Sequence, residues 1–112
     1  MYYIYILRCI DNSLYTGITT DIERRLKEHL KELKNGAKYT ANHKPVKVEQ
    51  LWSCENRSLA SKFEYRFKKL TKAQKETFIL HPNEKMIISL EWENYHFEEI
   101  PEKNNNSQNK KN

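Results

Sequence analysis

Two runs of aromatic and β-branched residues, Tyr2–Cys9 and Leu14–Thr19, are separated only by Ile10 and the turn cluster Asp11-Asn12-Ser13. Both compositions favour extended backbone, and so close a return makes them a hairpin. Whatever else the chain does, it starts from this antiparallel pair. Tyr3, Tyr5 and Tyr15 lie within the two strands, so phenols come near one another early in the fold.

The next signals are helical. Thr20 to Glu23 fits a capping box, and Ile22, Leu26, Leu30 and Leu33 follow at helical spacing. Asn35-Gly36 is the expected stop, because glycine readily supplies the left-handed residue that ends a helix. Residues 37 to 45 are polar and basic, and Val46 to Ser53 alternates well enough for a third strand. Asn56 is placed to cap a second helix, with Leu59, Ala60, Phe63, Phe67 and Leu70 as its apolar stripe. Thr71 is placed to cap a short third helix that ends before Pro82. Residues 86 to 97 suit a further strand or an extended segment. The order is β-β-α-β-α-α: an α/β protein of α+β sandwich-like type, a small three-stranded, mostly antiparallel sheet flanked by helices.

Size and charge then limit the organisation. With 112 residues the expectation is one domain over residues 1–83, an acidic and aromatic extension over 84–100, and a tail over 101–112 whose Asn, Lys, Ser and Gln composition suits disorder. The net charge is +5, and it is unevenly placed, since residues 84 to 99 are acidic and the body is basic. A basic body invites a polyanion, although many small basic proteins have no such partner. Cys9 and Cys54 are far apart and have no metal-site spacing, so they read as buried free thiols. The first apolar run breaks at Arg8 with no cleavage-site pattern after it, and no run approaches the ~20 apolar residues of a membrane span. A cytoplasmic protein without a membrane partner is expected.

Several residues carry chemistry, each with an ordinary reading beside it. Gly17 lies inside a strand pattern, which marks either a simple bulge or a point of close approach by backbone or phosphate. Arg25 and His29 share a helix face. They are either a surface arginine beside a half-buried histidine or a phosphate clamp, the guanidinium matching two phosphate oxygens and the imidazole bonding or shuttling a proton. Arg24, about 100° round the helix, should be exposed. Glu64 borders the apolar stripe of the second helix. It is either a solvated carboxylate paired with Lys68 or a hard oxygen ligand for Mg²⁺ or Mn²⁺. Lys34, Lys38, Tyr39 and Lys44 form a basic edge suited to an ordinary loop or to tracking a nucleic-acid backbone, with Tyr39 stacking on a base. Arg66 extends that charge along the second helix. Tyr5 and Tyr15 are core aromatics unless a cation lowers a phenol's pKa. His43 and His81 read as surface residues.

Taken in order, Tyr3-Ile4-Tyr5, Tyr15-Thr16-Gly17, Arg25-x3-His29, Lys38 and Glu64 resemble the signature of the GIY-YIG nucleases, closest to their small stand-alone bacterial members. The resemblance spans roughly residues 2 to 80. Tyr3 stands where the signature has its first glycine, and Thr16 replaces its isoleucine. The resemblance implies a metal-dependent endonuclease that leaves a 3′-hydroxyl and a 5′-phosphate. Tyr5, Tyr15, Arg25, His29, Lys38 and Glu64 would be catalytic, with Glu64 holding Mg²⁺ or Mn²⁺. It also implies that one tyrosine activates or orients the attacking water, without settling which. Gly17, Lys34, Tyr39, Lys44 and Arg66 are the expected substrate contacts. DNA is expected ahead of RNA, in repair or recombination, and a protein partner is left open. The competing expectation is a nucleic-acid-binding module that has lost useful catalysis.

Overall fold

The computed structural model describes residues 1–31 and 44–100, with backbone alone for 29–31. The elements are β1 (Tyr2–Cys9), β2 (Leu14–Thr19), α1 (Ile22–Lys31), β3 (Pro45–Cys54), α2 (Arg57–Lys68), α3 (Lys72–Leu80) and β4 (His96–Phe97). The strands form one antiparallel sheet in the order β2-β1-β3-β4. The expected mixed architecture is therefore present, with four strands where three were expected. The extra one is short, because residues 85–94 turn twice as 3₁₀ helix, at Lys85–Ile87 and Trp92–Asn94, before His96 and Phe97 reach β3. The segment over residues 86–97 is thus mostly not a strand.

The hairpin forms where its composition places it. Asn12 takes φ 71°, a conformation that asparagine tolerates better than most residues. The Cys9 amide donates to the Ser13 carbonyl at 2.9 Å and closes the turn. The α1 N-terminus differs from expectation by one residue. Thr19 Oγ1 accepts from the Asp21 amide at 3.0 Å, and the Asp21 carboxylate accepts from the Arg24 amide at 3.2 Å. Asp21 is therefore the cap in place of Thr20; its carboxylate, unlike a hydroxyl, also brings negative charge to the helix N-terminus. Asn56 caps α2 through Leu59, and Thr71 with Gln74 forms a capping box on α3. The expected end of α1 at Asn35-Gly36 lies outside the described residues.

Pleating divides the side chains of the central strands between two faces. Ile4, Ile6 and Trp52 share one face with Ala60, Phe63 and Phe67 of α2 and Phe78 of α3. Tyr5, Leu7, Val48 and Leu51 share the other with Ile22 and Leu26 of α1. Covering on both sides explains why β1 is nearly continuous in apolar residues rather than alternating. Gln50, 1% exposed, ties sheet to helix: its Nε2 donates to the Phe78 carbonyl at 2.9 Å while its Oε1 accepts from Trp52 Nε1 at 2.9 Å. At the hairpin end, Arg8 pairs with both Glu49 and Glu76. Hydrogen bonding from Arg8 holds the Glu76 carboxyl down at about 2. Ile88, Trp92 and Tyr95 pack onto the same core, Tyr95 donating to the Leu59 carbonyl at 2.8 Å. No helix among the described residues is long and apolar enough to cross a membrane. Cys9 and Cys54 are free and buried.

Candidate active site

β1 pairs with β2 in an unbroken register that sets Tyr5 opposite Gly17 and Leu7 opposite Tyr15. Residues directly opposite in an antiparallel pair project to the same face. Tyr5, Tyr15 and Gly17 therefore all lie on the face that α1 covers, and the two rings are 6.2 Å apart. There is no bulge at Gly17. A Cβ built there would stand 2.3 Å from Tyr5 Oη and 2.5 Å from Cζ. The close approach is real, but the approaching group is the Tyr5 phenol. Glycine is required for space.

Arg25, partly buried on α1, points into this cluster. Its Nε donates to Tyr5 Oη at 3.4 Å, and its Nη1 donates to Glu28 Oε1 at 2.8 Å. Glu28 also accepts from Arg24 Nη1 at 2.5 Å, so one carboxylate bridges two neighbouring guanidiniums. Arg24 is largely exposed, as its position round the helix requires. Burial pushes the Tyr5 phenol up to about 12, against the opposing pull of the Arg25 hydrogen bond. Tyr5 therefore stays a neutral hydroxyl at ordinary pH. Hydrogen bonding to Glu28, then to Tyr5, raises the Arg25 guanidinium further, and Arg25 in turn lowers the Glu28 carboxyl. Glu28 was not singled out from the sequence. Its i, i+3 and i, i+4 spacing from Arg25 and Arg24 was the available signal.

The remaining candidates are placed less closely. His29 falls on α1, four residues beyond Arg25, with its side chain outside the described residues. Lys34, Lys38 and Tyr39 lie wholly outside them. Lys44 precedes β3, and its carbonyl accepts from the Ile10 amide at 2.8 Å. Arg66 donates to the Ser89 carbonyl and ties α2 to the segment after α3. Glu64 sits beside Phe63 on α2, which packs against the opposite face of the sheet from α1. The edge strand β2 is the rim between those faces. The Glu64 carboxylate is 25% exposed and pairs with Lys68 Nζ at 3.2 Å. Among the described residues no group of three or more His, Cys, Asp or Glu is gathered to hold a metal. A lone carboxylate still fits a hard cation that completes its shell with water and substrate phosphate.

Two phenols and a guanidinium gathered over one face of a small antiparallel sheet are groups able to meet phosphate oxygens. A family model described as the GIY-YIG catalytic domain matches residues 1–77, and the chain belongs to that family, one of nucleases that generally use divalent metal ions. It is 46% identical over 82 residues to a UPF0213 protein of Fusobacterium nucleatum, covering 73% of this chain and 80% of that one. A UPF0213 protein of Halobacterium salinarum is 43% identical over 76 residues, covering 68% of this chain and 96% of the relative. Among solved structures, the solution NMR structure of a UPF0213 protein from Bacillus halodurans matches with 38% identity and a TM-score of 0.48, covering 77% of this chain and 94% of that one.

Proposed function

We propose that this protein is a metal-dependent endonuclease that hydrolyses phosphodiester bonds in nucleic acid, DNA ahead of RNA, in repair or recombination. The observation that carries the reading is the Arg25 guanidinium held against the Tyr5 hydroxyl with Tyr15 beside it. A scissile phosphate seated there meets a planar donor able to exchange its Glu28 contact for phosphate oxygens as charge builds in the transition state. Tyr5, kept protonated by burial, donates and orients. Tyr15, less buried, is then the phenol assigned to position or deprotonate the attacking water. Water attacks phosphorus, the bond to the leaving 3′ oxygen breaks, and a 3′-hydroxyl and 5′-phosphate result. His29 and Lys38 assist with proton transfer and charge, and Gly17 keeps Tyr5 in place. Lys34, Tyr39, Lys44 and Arg66 contact the polymer away from the scissile bond.

Glu64 is the residue that would hold Mg²⁺ or Mn²⁺, and its carboxylate would have to leave Lys68 to do so. When bound, the cation supplies Lewis-acid stabilisation of the phosphate charge. A nucleic-acid-binding module with little catalysis is the second reading, favoured by one observation: both Arg25 and Glu64 already have internal counter-ions. Cleavage of labelled single-stranded, duplex and branched DNAs with Mg²⁺ or Mn²⁺ separates the two. Glu64→Ala should lower the rate by at least about a hundredfold while leaving binding nearly intact. Equal cleavage by both proteins would remove Glu64 from the site. Salt-sensitive binding without cleavage by either would establish the binding module.

A further inference from the structure

The outward surface of α2 carries a feature that neither the core nor the proposed chemistry uses. Tyr65 is 60% exposed, while Phe63 and Phe67 on the same helix are buried. Its neighbours at helical spacing are Lys62, Lys68 and Lys69, all exposed. Lys69 Nζ stands 5.2 Å from the centre of the Tyr65 ring. Glu64 is the one acidic residue within α2, and it already pairs with Lys68. The surface is therefore a flat aromatic ring set in positive charge.

We propose that this face of α2 binds an unpaired stretch of nucleic acid, a base stacking on Tyr65 while Lys62, Lys68 and Lys69 meet the flanking phosphates. The proposal rests on the nuclease reading and names the form of its substrate. Charge complementarity selects a polyanion, and the ring selects its form. A duplex hides the π-faces of its bases and would use the lysines alone, as would an acidic peptide. An unpaired strand presents both bases and phosphates, the two partners that a ring among several ammonium groups can meet together.

The test is fluorescence anisotropy, in chelator so that nothing is cut. The probes are a labelled single-stranded oligonucleotide and an abasic strand of the same length, titrated with wild type, Tyr65→Ala and Tyr65→Phe. Tyr65→Ala should weaken binding of the base-bearing strand about tenfold, and Tyr65→Phe less than about twofold. Both variants should hold the abasic strand as wild type does, which also shows that they are folded. Unchanged binding of the base-bearing strand by Tyr65→Ala overturns the proposal, as does an equal loss on the abasic strand. If that occurs while cleavage still depends on Glu64, the nuclease reading stands and only the stacking face falls. A wild-type protein that binds neither strand overturns the stacking face, and the nuclease reading falls with it only if none of the labelled single-stranded, duplex and branched DNAs is cut.

Discussion

On one face of the sheet, Trp52 stacks among Phe63, Phe78 and Trp92 at centroid distances of 5.6, 6.1 and 5.1 Å, and Phe63 meets Tyr95 at 5.5 Å. On the other, Leu7, Ile22, Leu26, Val48 and Leu51 are, among the described residues, the buried aliphatic side chains around a buried phenol that bonds a partly exposed guanidinium. The first face gains from apolar burial and ring–ring geometry. The second buries a polar hydroxyl and depends on a hydrogen bond to offset the loss of water. Among the described residues the two faces divide the labour: the face under α2 and α3 carries the aromatic core, and the α1 face carries Arg25, Tyr5 and Tyr15.

The largest test of that division is to remove one ring from the aromatic face. Phe63→Ala should cost about 3–5 kcal/mol, whereas Leu26→Ala under α1 should cost about 2 kcal/mol, both read from chemical denaturation. A chain of this kind has only about 5–15 kcal/mol to lose, so Phe63→Ala brings it near unfolding. Equal costs on the two faces would break the comparison. Gly17→Ala comes next and acts on the α1 face. The new Cβ overlaps the Tyr5 phenol, and the ring must move, at a cost of about 1–3 kcal/mol. A displaced Tyr5 is less buried, so its titration should fall from about 12 toward the ordinary value of 10.0 in a spectrophotometric tyrosine titration. Tyr5 titrating as before would show that the ring and Gly17 are not packed as described.

Elements set by local chemistry were readable from the sequence. The Asp11-Asn12-Ser13 turn, the Asn56 and Thr71 caps and the Phe63–Phe67 stripe each need only a few neighbouring residues. What escaped reading depends on the third dimension. Asp21, not Thr20, is the cap: its carboxylate accepts from the Arg24 amide while Thr19 Oγ1 accepts from the Asp21 amide. The short β4 forms only because two 3₁₀ turns deliver His96 and Phe97 to β3. The reason for Gly17 was unreadable because it lies across the strand, in the ring of Tyr5. Glu28 could have been found from helical spacing, but nothing in the sequence alone ranks it above the other acids that could face Arg25. The GIY-YIG resemblance ordered the candidate residues. Geometry then showed Tyr5, Tyr15, Gly17 and Arg25 on one face and Glu64 on a helix of the other.

The smallest expected effect comes from an unpaired hydroxyl on the aromatic side. Thr16 lies opposite Ile6 and so shares the α2 face, and it is 3% exposed. Its hydroxyl has no hydrogen-bond partner among the described residues. A buried hydroxyl without a partner costs about 1–3 kcal/mol, and valine has nearly the same shape without that cost. Thr16→Val should therefore stabilise the protein by about 1 kcal/mol, seen as a higher denaturation midpoint at unchanged slope. Because Thr16 faces away from Tyr5 and Arg25, the tyrosine titration should not move. Destabilisation by valine would mean that the hydroxyl is satisfied by ordered water, and the aromatic face would then be less purely apolar than the comparison requires.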